Sequence, residues 1–153
     1  MKLLELFNKP GHYKWYKKTS TLWKGEFKLG GITYGFTSDF LTHHEDEGVT
    51  WEVFFTIETP RIDDAGHIQS KFLASETGNE VEVFSTVLAM LTDFASNVQP
   101  DLIMVSASLK EPSRIKLYKR MAKRAGLMGY KLLEDYEWDN ESHLFVFQKE
   151  EKL

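Results

Sequence analysis

The hydrophobic positions of this chain change period twice. From residue 23 to residue 57 they alternate: Trp23, Phe27 and Leu29, then Tyr34 and Phe36, then Trp51, Val53, Phe55 and Ile57. Alternation of this kind predicts half-buried strands over 23–29, 32–40 and 50–57. Gly30-Gly31 between the first two predicts a two-residue hairpin turn, because such turns need positive φ. Residues 42–48 and 60–66 read as polar connections, and 68–74 as a further strand. From residue 80 the period becomes helical: Phe84, Val87, Leu88, Leu91, Phe94, Ala95 and Val98 share one face. Thr77 with Glu80, or Asn79 with Glu82, fits a capping box, and Pro100 closes the segment, giving a helix over about 80–97. Residues 101–107 form a short apolar run, the mark of a strand covered on both faces. A second helix over 112–125 follows, with Pro112 near its start and Gly126 after its end. Residues 130–138 and 143–148, joined by Asp139-Asn140-Glu141-Ser142, predict a closing hairpin.

A strand meander, helix, strand, helix and hairpin make an α/β fold: a mixed, mainly antiparallel central sheet with two main helices. At 153 residues the chain reads as one domain, 1–153, with 1–21 as a variable N-terminal segment. Residues 3–7 fit either a short helix or a strand. The absence of cysteine excludes disulfides, thiol nucleophiles and cysteine-based zinc sites, and is consistent with a reducing cytoplasm. The first ten residues are too polar for a signal peptide and no apolar run approaches a membrane span, so no membrane partner is expected.

Charge is segregated beneath the net −4. The first 28 residues are rich in lysine, 39–82 in acids and 110–131 in basic groups. Tyr13, Trp15 and Tyr16, interleaved with Lys14, Lys17 and Lys18, fit either an exposed contact surface for bases or protein, or a strand with one buried face. On the second helix Lys116, Lys119, Arg120, Lys123 and Arg124 lie opposite the apolar arc, either as a solvated face or as a track for a nucleic-acid backbone. Arg114 breaks that division, sitting on the apolar side one turn before Tyr118. An arginine beside a phenol can grip a phosphate or carboxylate, or the arginine can simply pair with a nearby acid. His43-His44-Glu45-Asp46-Glu47 has metal-ligand residue types but not a converging spacing, and no metal is expected.

From its second strand onward this order resembles the Gcn5-related N-acetyltransferase (GNAT) fold, over roughly residues 22–148. Arg114-Ile115-Lys116-Leu117-Tyr118-Lys119-Arg120 is similar to that family's second-helix motif, and segments 83–87 and 113–120 are similar to small uncharacterised proteins of tailed bacteriophages. The resemblance implies Tyr118 as the acid that protonates a departing thiolate. It implies Gly78, Asn79 and Arg114 as contacts to acetyl-CoA. The matching phosphate loop, Ser75-Glu76-Thr77-Gly78-Asn79-Glu80, keeps only Gly78, and Glu80 stands where the family has a small residue. The sequence therefore predicts a GNAT-like phage accessory protein in the host cytoplasm that binds a host or phage macromolecule and needs no cofactor. The alternatives are an acetyl-CoA-dependent N-acyltransferase and a nucleic-acid-binding module.

Overall fold

The computed structural model describes residues 12–44, 48–57, 61–62, 68–69, 80–108, 112–138 and 140–150. In chain order these form β1 (Tyr13–Lys18), β2 (Leu22–Leu29), β3 (Ile32–His44), β4 (Gly48–Ile57), the two-residue strands β5 (Arg61–Ile62) and β6 (Ile68–Gln69), and α1 (Glu80–Val98). They continue with β7 (Leu102–Ser108), α2 (Pro112–Ala122), a 3-10 turn (Ala125–Met128), β8 (Tyr130–Trp138) and β9 (Ser142–Lys149). Seven strands make one sheet in the order β1-β2-β3-β4-β7-β9-β8, and β5 pairs with β6 apart from it. Every neighbouring pair is antiparallel except β4 with β7. This is the expected mixed α/β layout.

The hairpin at Gly30-Gly31 forms as its composition requires, with φ of 57° and 75° and Leu29 paired to Ile32. Registers then carry the apolar alternation across the sheet. Trp23, Phe27, Tyr34, Phe36, Trp51, Val53, Phe55, Ile103, Val105, Phe145 and Phe147 share one buried face. Both helices pack on that face. Phe94 of α1 meets the rings of Trp23, Phe36 and Trp51 at 5.3 to 5.9 Å, and Tyr118 of α2 meets Phe55 and Phe145.

Three expectations are corrected in detail. The connection after β3 shrinks, because Thr42 and His43 stay in register with Thr50 and Val49 after a bulge at Leu41. α2 ends at Ala122 rather than 125. Its last turn tightens, the Arg124 N–H donating to the Met121 carbonyl at 2.9 Å, and the chain passes into the 3-10 turn that Gly129 closes at φ 83°. β7 is not covered equally on both faces: Ile103, Val105 and Ala107 are buried, while Leu102, Met104 and Ser106 are half-buried because both helices lie on one side. Among the described residues one helical stretch, Val81–Val98, is long and apolar enough by length and composition to cross a membrane. Since 61% of it is buried within the protein, core packing accounts for that character.

β1 resolves the reading of the lysine-rich start. Tyr13 and Trp15 are half-buried on the helix side, where the Trp15 Nε1–H donates to the Asp93 carboxylate at 2.7 Å and the Tyr13 hydroxyl donates to it at 3.5 Å. Tyr16 remains exposed. Tyr13 and Trp15 thus follow the reading of a strand with one buried face. Residues 3–7 and 70–79 lie outside the described residues.

Candidate functional site

The one parallel pair supplies the opening in the sheet. β4 and β7 are in register from Thr50 with Leu102 to Val53 with Val105, and there the ladder stops. Both strands continue, β4 to Ile57 and β7 to Ser108, each still paired on its other side, Ile57 with Tyr34 and Ser108 with Ser142. Past Val53 and Val105 the two strand edges therefore face each other without ladder bonds, and edges of this kind present N–H and C=O groups to a ligand.

The other end of the pair is clamped by Asp101. Its N–H donates to the Val49 carbonyl at 2.9 Å, its carboxylate accepts the Val49 N–H at 2.8 Å, and its carbonyl accepts the Lys149 N–H at 2.9 Å. Lys149 Nζ adds an ion pair at 3.8 Å. One residue thus ties β4, β7 and β9 together at the end opposite the parting.

Tyr118 reaches the parting from the helix side. Its ring lies 6.2 Å from Phe55 on β4 and 5.9 Å from Phe145 on β9, and its exposure is 0%. Of the residues singled out by the resemblance, Tyr118 is the one whose side chain is placed. Arg114 lies in the first turn of α2, but its side chain lies outside the described residues, as do Gly78 and Asn79 altogether. The basic face of α2 divides in two. Lys116, Lys119 and Lys123 are exposed, whereas Arg120 and Arg124 lie over the Phe84 ring of α1 at 4.4 and 5.4 Å. The identity of the side chains carried this signal. Planar guanidinium groups stack on rings where ammonium groups stay hydrated.

Two polar pairs escaped the sequence reading. Asp39 and Glu52 are direct partners on the face away from the helices, just before the ladder ends. Burial, and then the Asp39 charge, push the Glu52 carboxyl above its ordinary 4.5. The folded chain holds this proton more tightly than the unfolded one. Its contribution to stability is complete below the unfolded pKa and is lost as pH rises through the folded value. Asp39→Asn is expected to lower the Glu52 titration midpoint, read by carbon-detected NMR of the side-chain carboxyl. The second pair is His143 with Asp135, where Nε2 lies 2.9 Å from Oδ1. His143 and Asp135 lie on the helix side at the β8–β9 edge, and the His143 ring is 4.7 Å from Phe145, the same ring that Tyr118 touches. Among the described residues no group of three or more His, Asp or Glu is placed to hold a metal. A cavity of about 740 Å³ lies elsewhere, at the clamped end, lined by Ala95, Gln99, Tyr130 and Lys149 among others. The Tyr130 hydroxyl there donates to the Pro100 carbonyl at 2.5 Å.

No protein-family model matches the chain, and no curated protein matches it. Solved acetyltransferase structures are similar to it in layout. AAC(6')-Ib in complex with ribostamycin and coenzyme A is 11% identical with a TM-score of 0.45, over 85% of this chain and 65% of that one. A GNAT-family acetyltransferase from Streptococcus pneumoniae is 8% identical with a TM-score of 0.43, over 88% and 70%. Arabidopsis thaliana NAA60 in complex with acetyl-CoA is 10% identical with a TM-score of 0.41, over 84% and 76%. At these identities and scores the likeness is one of general layout and assigns no residue a role.

Proposed function

We infer that this chain is a partner-binding protein on a GNAT-like layout, a phage accessory protein of the host cytoplasm in which acetyl transfer has been lost. The burial of Tyr118 carries the loss of acetyl transfer in this reading. A phenol that protonates a departing thiolate must come within hydrogen-bond reach of the sulfur. A ring at 0% exposure, wedged between Phe55 and Phe145, serves the core instead. The start of α1 adds support. A helix N-terminus attracts phosphate, but here Glu82 lies within the first turn, and a neighbouring carboxylate opposes a polyanion.

The test is calorimetric titration with acetyl-CoA. The expected result is no saturable binding up to about 0.1 mM ligand. A micromolar dissociation constant would overturn the reading and select an acetyl-CoA-dependent N-acyltransferase. That second reading is favoured by the parting of β4 from β7, which leaves strand edges open to an extended ligand.

A further inference from the structure

The sheet face turned away from the helices carries a row of lysines at its β1–β2 edge, and a β-bulge builds it. Tyr13 and Trp15 pair with Phe27 and Gly25 and point to the helices, which places Lys14 on the opposite face beside Glu26, with an ion pair of 3.5 Å. Simple alternation would next set Tyr16 across from Lys24 and send Lys17 to the helix side. The register instead shifts between Trp15 and Lys17, so that Lys17 lies directly across from Lys24. Lys28 follows on the same face of β2, two positions beyond Glu26. Lys14, Lys17 and Lys28 are exposed, and Lys24 is half-buried.

This arrangement has a cost and a complement. Like charges directly opposite on a sheet repel, and the Lys17–Lys24 pair has no acid as a direct cross-strand partner on this face: Lys24 is followed on β3 by Thr37, the next row pairs Glu26 with Gly35, and the row after that pairs Lys28 with Thr33. Ammonium groups backed by hydroxyls suit phosphate oxygens. Glu26, the acid within the row, is engaged by Lys14. Lys24 and Lys28 are four positions apart on β2 with Glu26 between them, about 14 Å, a span comparable to two phosphate steps in an extended single strand. At the bulge, beside Lys17, the Tyr16 ring stands 53% exposed, where a base with a bare face can stack.

We propose that this lysine face binds single-stranded nucleic acid, with phosphates on Lys17, Lys24 and Lys28 and a base on Tyr16. The proposal names the partner class of the partner-binding reading above and rests on it. Acetyl-CoA titration tests that reading separately, so either can fail without the other. A duplex is disfavoured, because β1 and β2 belong to a seven-stranded sheet and are not a free two-stranded ribbon that could enter a groove, and its stacked bases leave no face for Tyr16. An acidic protein segment would satisfy the lysines but not the ring.

The experiment is fluorescence anisotropy with a labelled oligothymidylate of about 20 nucleotides, a matched duplex and a labelled polyglutamate, over a series of salt concentrations. Micromolar binding of the single strand is expected, with a log–log salt slope of about −2 for three phosphate contacts. Lys17→Glu with Lys28→Glu, both at exposed positions, is expected to weaken binding about tenfold or more. Circular dichroism and an unchanged melting temperature are to show that the variant is folded. Tyr16→Ala is expected to lower affinity about tenfold and Tyr16→Trp to retain it. Lys119→Glu with Lys123→Glu on α2 is expected to change little. Absence of binding at low salt, tighter binding of duplex or polyglutamate, or loss only with the α2 variants would each overturn the proposal.

Discussion

Phe94→Ala is expected to destabilise the protein by about 4 kcal/mol, the middle of the range for removing a buried phenylalanine ring. Phe94 sits at 0% exposure and meets Trp23, Phe36 and Trp51, one ring from each of β2, β3 and β4. Truncation would remove the transfer free energy of the ring and leave a void that large, mutually packed rings cannot close. For a chain of this length the melting temperature should fall by roughly 8–16 °C. The urea midpoint is the second readout, and a shift equivalent to less than about 1 kcal/mol would show that the three rings do not depend on Phe94.

Gly48→Ala is the other large effect, expected to cost about 3 kcal/mol. Gly48 opens β4 with φ of 83°, which an alanine adopts only with strain, and a Cβ there would run into the Asp101 carboxylate. That carboxylate accepts the Val49 N–H, so moving it would also release a bond at the clamp. Gly31→Ala provides the comparison. Its φ is 75° but nothing lies within 4 Å of the added carbon, so only the backbone strain of about 1 kcal/mol applies. Equal midpoints for the two variants in urea would remove Asp101 from the account.

The elements that were legible in the sequence are those whose signal is local. The Gly30-Gly31 turn, the alternation through Trp51, Val53 and Phe55, and the helical stripe ending in Phe94, Ala95 and Val98 each announce themselves within a few residues. Contacts between distant segments were not legible. Trp15 donates to Asp93 across 78 positions, and nothing in the spacing of either residue points to the other. The bulge at Tyr16 breaks the alternation that would have told inward rings from outward ones. Arg120 and Arg124 differ from their lysine neighbours in a way that favours ring faces, but nothing near them in the sequence points to Phe84 on α1 as the ring. For the candidate site, Tyr118 was identifiable as a residue, but its burial depends on Phe55 and Phe145, which come from strands on either side of β7.

The parallel pair also divides the molecule mechanically. On one side of it lies a four-stranded antiparallel unit, β1 to β4, and on the other a three-stranded one, β7, β9 and β8. Four register pairs join the two, against eight between β2 and β3 and seven between β7 and β9. Resistance to shear between the halves rests on that short seam, on the Asp101 clamp at one end of it and on the helices laid across its buried side. The least costly sub-global opening runs along this line, so a ligand lodged between β4 and β7 would act as a brace joining two halves that the chain itself ties together sparingly.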